Sequence, residues 1–231
     1  SDYVISSYTP SLSALLQANQ DPPLDVLRQN GAAALLVAEP QPVGEEWESI
    51  PYTLAEVSGV KELIPSATLL GSIEEGATIQ DFRSASVVHL ACHGIQDGSD
   101  PLQSGFALRD GMLTVSRIME LDAPNAAVAF LSACESAMGD GGLPDESVHL
   151  AAAMLFLGFR SVVGTMWYVA MDDASGPKVA HQVYEAMLAG NRHGDFDYGC
   201  IPRALDLAMR ELREDKETPI DDWALWIHMG I

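Results

Sequence analysis

Basic residues are scarce in this chain. Twelve lysines and arginines stand against 33 aspartates and glutamates, for a net charge of -21. That balance argues against nucleic acid and against an anionic membrane surface as direct partners, since both would repel it; a basic peptide would be attracted. No apolar run reaches the ~18 residues of a membrane span, and no signal-peptide pattern is visible in the first residues. Only three cysteines occur, Cys92, Cys134 and Cys200. An odd number without paired spacing speaks against a disulfide framework and for a reducing compartment, so an intracellular, cytoplasmic setting is expected. With no C-x-x-C pair, neither a structural zinc site nor any other cofactor is expected. Repeats and low-complexity tracts are missing, and so is Gly-x-Ser-x-Gly, the nucleophile turn of many serine hydrolases. The first residue is Ser1 rather than methionine, as it would be in a piece of a longer protein.

What remains is globular. Apolar residues make up 48% of the 231 and charged ones 19%, enough for one large core and a single domain. The chain alternates between strand and helix patterns. A short strand at 3–6 precedes a helix through Leu12, Leu15 and Leu16. A buried strand at 32–37 leads, past Pro40 and Pro42, to a helix that Pro51 can open. Leu54, Val57, Lys61 and Ile64 form its stripe, with Lys61 burying its stem and keeping its ammonium wet. Further strands are expected at 67–70, 86–92, 128–132 and 161–165. Helices are expected at 79–83, 116–121, 144–157, 173–188 and 201–213. Gly158 closes the third of these. Asp110-Gly111 marks a hairpin between 106–109 and 112–115. Trp223, Trp226 and Ile227 pack a C-terminal tail. Strands separated by helices predict an α/β fold with a mostly parallel sheet and crossover helices.

Two of the strands end in reactive residues. Val87-Val88-His89-Leu90-Ala91-Cys92 runs into His93-Gly94, and Val128-Ala129-Phe130-Leu131-Ser132-Ala133 runs into Cys134-Glu135. Neighbouring parallel strands bring such ends to one edge of a sheet, where α/β proteins place their chemistry. A cysteine attacks a carbonyl carbon as thiolate, and a free thiol with a pKa of about 8.5 is mostly protonated at neutral pH. A histidine at the next strand end supplies the base and later protonates the leaving amine. Gly94, without a side chain, lets its N–H approach a substrate closely and, with the Cys134 N–H, form an oxyanion hole. His89 lies deeper on the same strand and reads as a hydrogen-bonded core residue. Strand alternation turns Cys92 away from both histidines, which speaks against a metal site built from this group. Cys200 opens a helix, where a thiol gains some activation, although a spare thiol is the simpler reading.

These two motifs resemble the signature motifs of the CHAT family, caspase-like domains often attached to tetratricopeptide repeats. The resemblance continues through 158–167 and Asp172, then 183–190 and 204–208, and ends over 223–230, so that it spans about residues 30–231. It implies a caspase-like three-layer α/β/α sandwich and a cysteine endopeptidase acting on protein or peptide substrates, with His93 and Cys134 at the dyad positions and Gly94 at an oxyanion position. It also implies a possible association with a tetratricopeptide-repeat region in the same or a partner protein. Met166 and Trp167, at the end of the following strand, are placed to line the cleft as the corresponding strand does in caspases. Glu135, Asp140 and Asp172 can form an acidic floor for a basic P1 side chain, or be solvated loop carboxylates. No arginine cluster suggests the aspartate pocket of true caspases. The alternative function is a binding or scaffold module that keeps the fold without turnover.

Overall fold

The computed structural model describes residues 4–12, 16, 33–42, 47–70, 79–109, 111–121, 123–133, 150–167, 175–189 and 196–230. Six strands build the main sheet: β1 (Ala34–Ala38), β2 (Thr68–Leu70), β3 (Val87–Ala91), β7 (Val128–Ser132), β8 (Ser161–Thr165) and β9 (Trp226–Gly230). Their spatial order is β2-β1-β3-β7-β8-β9, parallel except for the antiparallel β9. Three more strands, β4 (His93–Ile95), β5 (Gly105–Leu108) and β6 (Gly111–Thr114), form a small antiparallel sheet beside it.

Sheet alternation divides the core in two. Leu36, Val87, Ala91, Phe130 and Val163 face one side, where they meet α1 (Tyr52–Leu63), α5 (Ser175–Leu188) and α6 (Ile201–Glu214). Leu35, Val88, Leu90, Cys92, Leu131 and Val162 face the other. That side is covered by α2 (Ile79–Ser84), α3 (Val115–Met119) and α4 (Leu150–Leu157). The central strands are buried on both faces, which is why their sequence is continuously apolar rather than alternating. Each fully buried leucine here contributes roughly 1.5–3 kcal/mol. The result is the expected α/β sandwich. Among the described residues no helix is long and apolar enough to cross a membrane.

Several local expectations hold and others shift. A hairpin is present as β5–β6, with Phe106 paired to Leu113, but Gly111 pairs with Leu108 as the first residue of β6 instead of standing in the turn, and Asp110 lies outside the described residues. Gly158 closes α4 at φ +116°, a left-handed turn that disfavours any other residue. The beginning of the expected 144–157 helix lies outside the described residues up to 149. Residues 4–7 are exposed and form no strand. They are followed by one bridge, Tyr8 to Met229, fastened by the Tyr8 N–H on the His228 carbonyl oxygen. The tail at 226–230 is more than packing: it adds β9 to the sheet, with Trp226 buried at its start.

The buried face of α1 is also rotated from the expected stripe. Leu54 is 45% exposed, while Thr53, Glu56, Val57 and Val60 point inward. A carboxylate takes an inward position because two polar partners wait for it there, as described below. Lys61 is half-buried, as its place on the stripe suggested. It donates to the carbonyl oxygens of Pro65 and Ala67, holding the turn between α1 and β2.

Candidate active site

β1, β3, β7 and β8 all end at the same sheet edge. The register Ala38↔Ala91 and Ala91↔Ser132 sets the ends of the first three side by side. Hydrogen bonds continue past the strands: the Glu39 N–H donates to the Ala91 carbonyl oxygen (2.9 Å), and the Cys92 N–H to that of Ser132 (3.4 Å). At the β7 end, Ala133 is buried and its carbonyl oxygen accepts from the Thr165 hydroxyl at 2.6 Å. The chain therefore enters Cys134 from a point fixed on both sides. Cys134 itself, Glu135, Asp140 and Asp172 lie outside the described residues.

His93 is the chemical group the structure does place at this edge. Immediately after β3 the chain changes sheets, and His93 opens β4, paired with Ala107 of β5. The side chain is only 7% exposed. Its Nε2 lies 2.7 Å from the carbonyl oxygen of Glu48, and its ring packs on Trp47 at 5.1 Å between centroids. A carbonyl oxygen only accepts, so Nε2 must carry the hydrogen. In the neutral ring the lone pair is then on Nδ1, and that nitrogen is the one able to take a proton.

Trp47 and Glu48 reach His93 because Pro40 and Pro42 stop β1 and the chain loops back. The Ile50 N–H closes that loop on the Pro40 carbonyl oxygen at 2.8 Å. Neither residue was expected from sequence. A lone tryptophan in a polar loop just past a strand end was the available signal, whereas a backbone carbonyl carries none. Gly94 follows in β4, half-buried and paired with Phe106. Glu39, 7% exposed, sits at the end of β1. Burial raises its carboxyl pKa above the ordinary value, opposed by the Gln41 N–H and the Arg109 guanidinium.

The two expected cleft residues from β8 are placed on its far side. Met166 is 38% exposed and lines a groove with Tyr8, Met209, Arg213 and Trp223. Trp167 is partly buried and donates its indole N–H to the Asp221 carbonyl oxygen, within α7 (Ile220–Trp223), at 2.9 Å. Both lie beyond β8, which is separated from β3 by β7.

Below the edge lies a buried polar cluster. His89 is fully buried and its Nε2 donates to the Glu56 carboxylate at 2.9 Å, the hydrogen-bonded core role expected of it. Its ring stacks on Phe130 (4.7 Å) and Tyr184 (5.6 Å). The Ser132 hydroxyl donates to the other Glu56 oxygen, also at 2.9 Å. Cys92 faces the opposite side of the sheet, in apolar packing. Cys200 directly precedes α6, but its thiol donates to the Asp197 carbonyl oxygen. Burial first, then the Asp197 charge, push its pKa up to about 11, the reverse of activation.

No match was found among curated proteins. Solved structures share the fold at low identity. The chain resembles separase in a Saccharomyces cerevisiae separase–securin complex (TM-score 0.63, 14% identity, 97% of this chain and 14% of that one). It resembles a chain from the Porphyromonas gingivalis RgpB complex of pro- and mature domains (TM-score 0.52, 14% identity, 86% and 46%). It also resembles Caspase-1 from Spodoptera frugiperda (TM-score 0.51, 11% identity, 86% and 87%). The chain thus spans less than half of the RgpB chain and about a seventh of the separase chain. These likenesses show a caspase-type fold. The family model described as CHAT domain matches residues 1–231. The chain belongs to the CHAT domain family.

Proposed function

We propose that this domain is a cysteine endopeptidase in which Cys134 is the nucleophile and His93 the base. The observation that carries this reading is the orientation of His93. Its Nε2–H is committed to the Glu48 carbonyl oxygen, so its basic nitrogen is Nδ1, at the edge where the strand leading to Cys134 ends. Nδ1 takes the thiol proton, and the thiolate attacks the peptide carbonyl carbon. Negative charge on the carbonyl oxygen is met by the N–H groups of Gly94 and Cys134. The imidazolium then returns its proton to the amine as the C–N bond breaks, and water hydrolyses the thioester. Through both half-reactions the Glu48 carbonyl keeps one ring hydrogen occupied, favouring the imidazolium when it forms.

Membership in a family of caspase fold supports this reading, as does the adjacency of β3 and β7. The surplus of 33 acidic over 12 basic residues favours cationic peptides, with Glu135, Asp140 and Asp172 as the floor for a basic P1 side chain. Met166 and Trp167 would contact substrate farther along the cleft. A tetratricopeptide-repeat region, in the same or a partner protein, is the proposed regulator, and the setting is proposed to be cytoplasmic.

The test is a peptide-library cleavage assay with covalent labelling by an electrophilic peptide. Cys134→Ala is expected to lose both cleavage and label while its melting curve stays that of the parent. Cleavage retained by Cys134→Ala contradicts the assignment.

A further inference from the structure

Glu56 lies on α1, away from both motifs, yet its carboxylate touches the two strands that lead to His93 and Cys134. One oxygen accepts from His89, four residues before His93 on β3. The other accepts from Ser132, two residues before Cys134 on β7. The same oxygen lies against the first turn of α5, where Gly176 leaves it space. A Cβ at Gly176 would come within 2.8 Å of that oxygen and 3.4 Å of the Ser132 hydroxyl. Glu56 is only 4% exposed. A carboxylate buried this deeply is costly unless it is well hydrogen-bonded, and the N-terminal end of a 14-residue helix favours its negative charge.

The surroundings are polar beyond what packing requires. Nδ1 of His89 and the Tyr184 hydroxyl are buried without hydrogen-bond partners among the described residues. Burial first, and then the Glu56 charge, raise the Tyr184 pKa far above that of an ordinary phenol. Apolar side chains could fill this volume at less cost in desolvation. What they could not supply is a directional bond to the Ser132 hydroxyl.

We propose that Glu56 is a positioning residue for the nucleophile, acting through Ser132. Its bond to the Ser132 hydroxyl and the Thr165 bond to the Ala133 carbonyl fix consecutive residues from two directions. Together they set the point and direction from which the chain reaches Cys134. The inference rests on the peptidase reading, and its test separates the two. It commits Glu56 to geometry rather than to proton transfer, because its oxygens face His89 and Ser132.

The test uses the whole chain and a peptide that the parent cleaves, with sites counted by an electrophilic peptide label. In Ser132→Ala, kcat per labelled site is expected to fall about 10- to 100-fold, as small misplacements of a nucleophile do, while KM changes less than about threefold. The pH midpoint for alkylation of Cys134 by iodoacetamide, read on the Cys134 peptide by mass spectrometry, should stay where it is. Ser132→Thr keeps the hydroxyl and should restore kcat to within about threefold of the parent. Gly176→Ala, which displaces the Glu56 carboxylate without removing a polar group, should behave as Ser132→Ala. Parent-like kcat in both Ser132→Ala and Gly176→Ala overturns the positioning role and leaves the peptidase reading standing. A shifted alkylation midpoint in Ser132→Ala also overturns it, since the network would then tune the thiol rather than place it. A parent that neither cleaves nor labels at Cys134 overturns both readings.

Discussion

At the scale of single residues, three histidines of this chain are put to different uses by their hydrogen-bond partners. His93 faces a carbonyl that can only accept, and His89 a carboxylate. His228 is held between two serine hydroxyls, Ser7 at Nδ1 (2.7 Å) and Ser161 at Nε2 (2.8 Å). A neutral ring has one donor and one acceptor, so it donates to one serine and accepts from the other. Burial lowers the His228 pKa to about 4 from an ordinary 6.5. Above pH 6.5 neither folded nor unfolded chain protonates it and its full stability is present. As the pH falls from 6.5 to 4 the unfolded chain takes up a proton that the folded one refuses, and stability is lost. The loss approaches about 3 kcal/mol by pH 4, of which about 2 is expected by pH 5. Urea unfolding at pH 7.5 and pH 5 should show this loss in the parent and not in His228→Gln. Equal losses in the two proteins would assign the acid sensitivity elsewhere. The comparison also cancels Glu39, whose raised pKa acts with the opposite sign.

At the scale of elements, β7 is the strand on which most depends. Phe130 is fully buried at its centre and packs on His89 (4.7 Å), Trp226 (5.5 Å) and Tyr184 (5.9 Å). Phe130→Ala should cost about 3–5 kcal/mol in unfolding free energy, because rings from β3, β9 and α5 cannot all collapse into one cavity. A cost below about 1 kcal/mol would mean that this face of the sheet repacks freely. The main strands were readable from sequence because burial on both faces leaves continuous apolar runs. The face of α1 was not. Its stripe was drawn through Leu54, whereas Glu56 holds an inward position only because His89 and Ser132, on other strands, receive it. The strand β4, which joins His93 to the expected hairpin, was missed for a related reason. Three residues with one glycine have no periodicity, and the pairing comes from the hairpin downstream. The tail's role as β9 depended likewise on a partner strand some sixty residues earlier in the chain.

At the scale of the whole molecule, the sheet order places the two motif strands next to each other near its middle, with helices on both faces. A similar fold is found within the much longer separase chain and across most of the Spodoptera frugiperda caspase, at identities where only the fold is held in common. Of the candidate site, His93 and the strand end that leads to Cys134 were legible in sequence, whereas the Trp47 ring and the Glu56 carboxylate were not. The Glu48 carbonyl that orients His93 was not, since any residue type can provide it. The proposed peptidase chemistry requires that His93 activate Cys134. The most direct measurement is the pH profile of Cys134 alkylation by iodoacetamide, in the parent and in His93→Ala, followed on the Cys134 peptide by mass spectrometry. The parent midpoint is expected well below the free-thiol value of about 8.5, rising toward that value in His93→Ala. A parent midpoint near 8.5, or one that His93→Ala leaves in place, would contradict that chemistry.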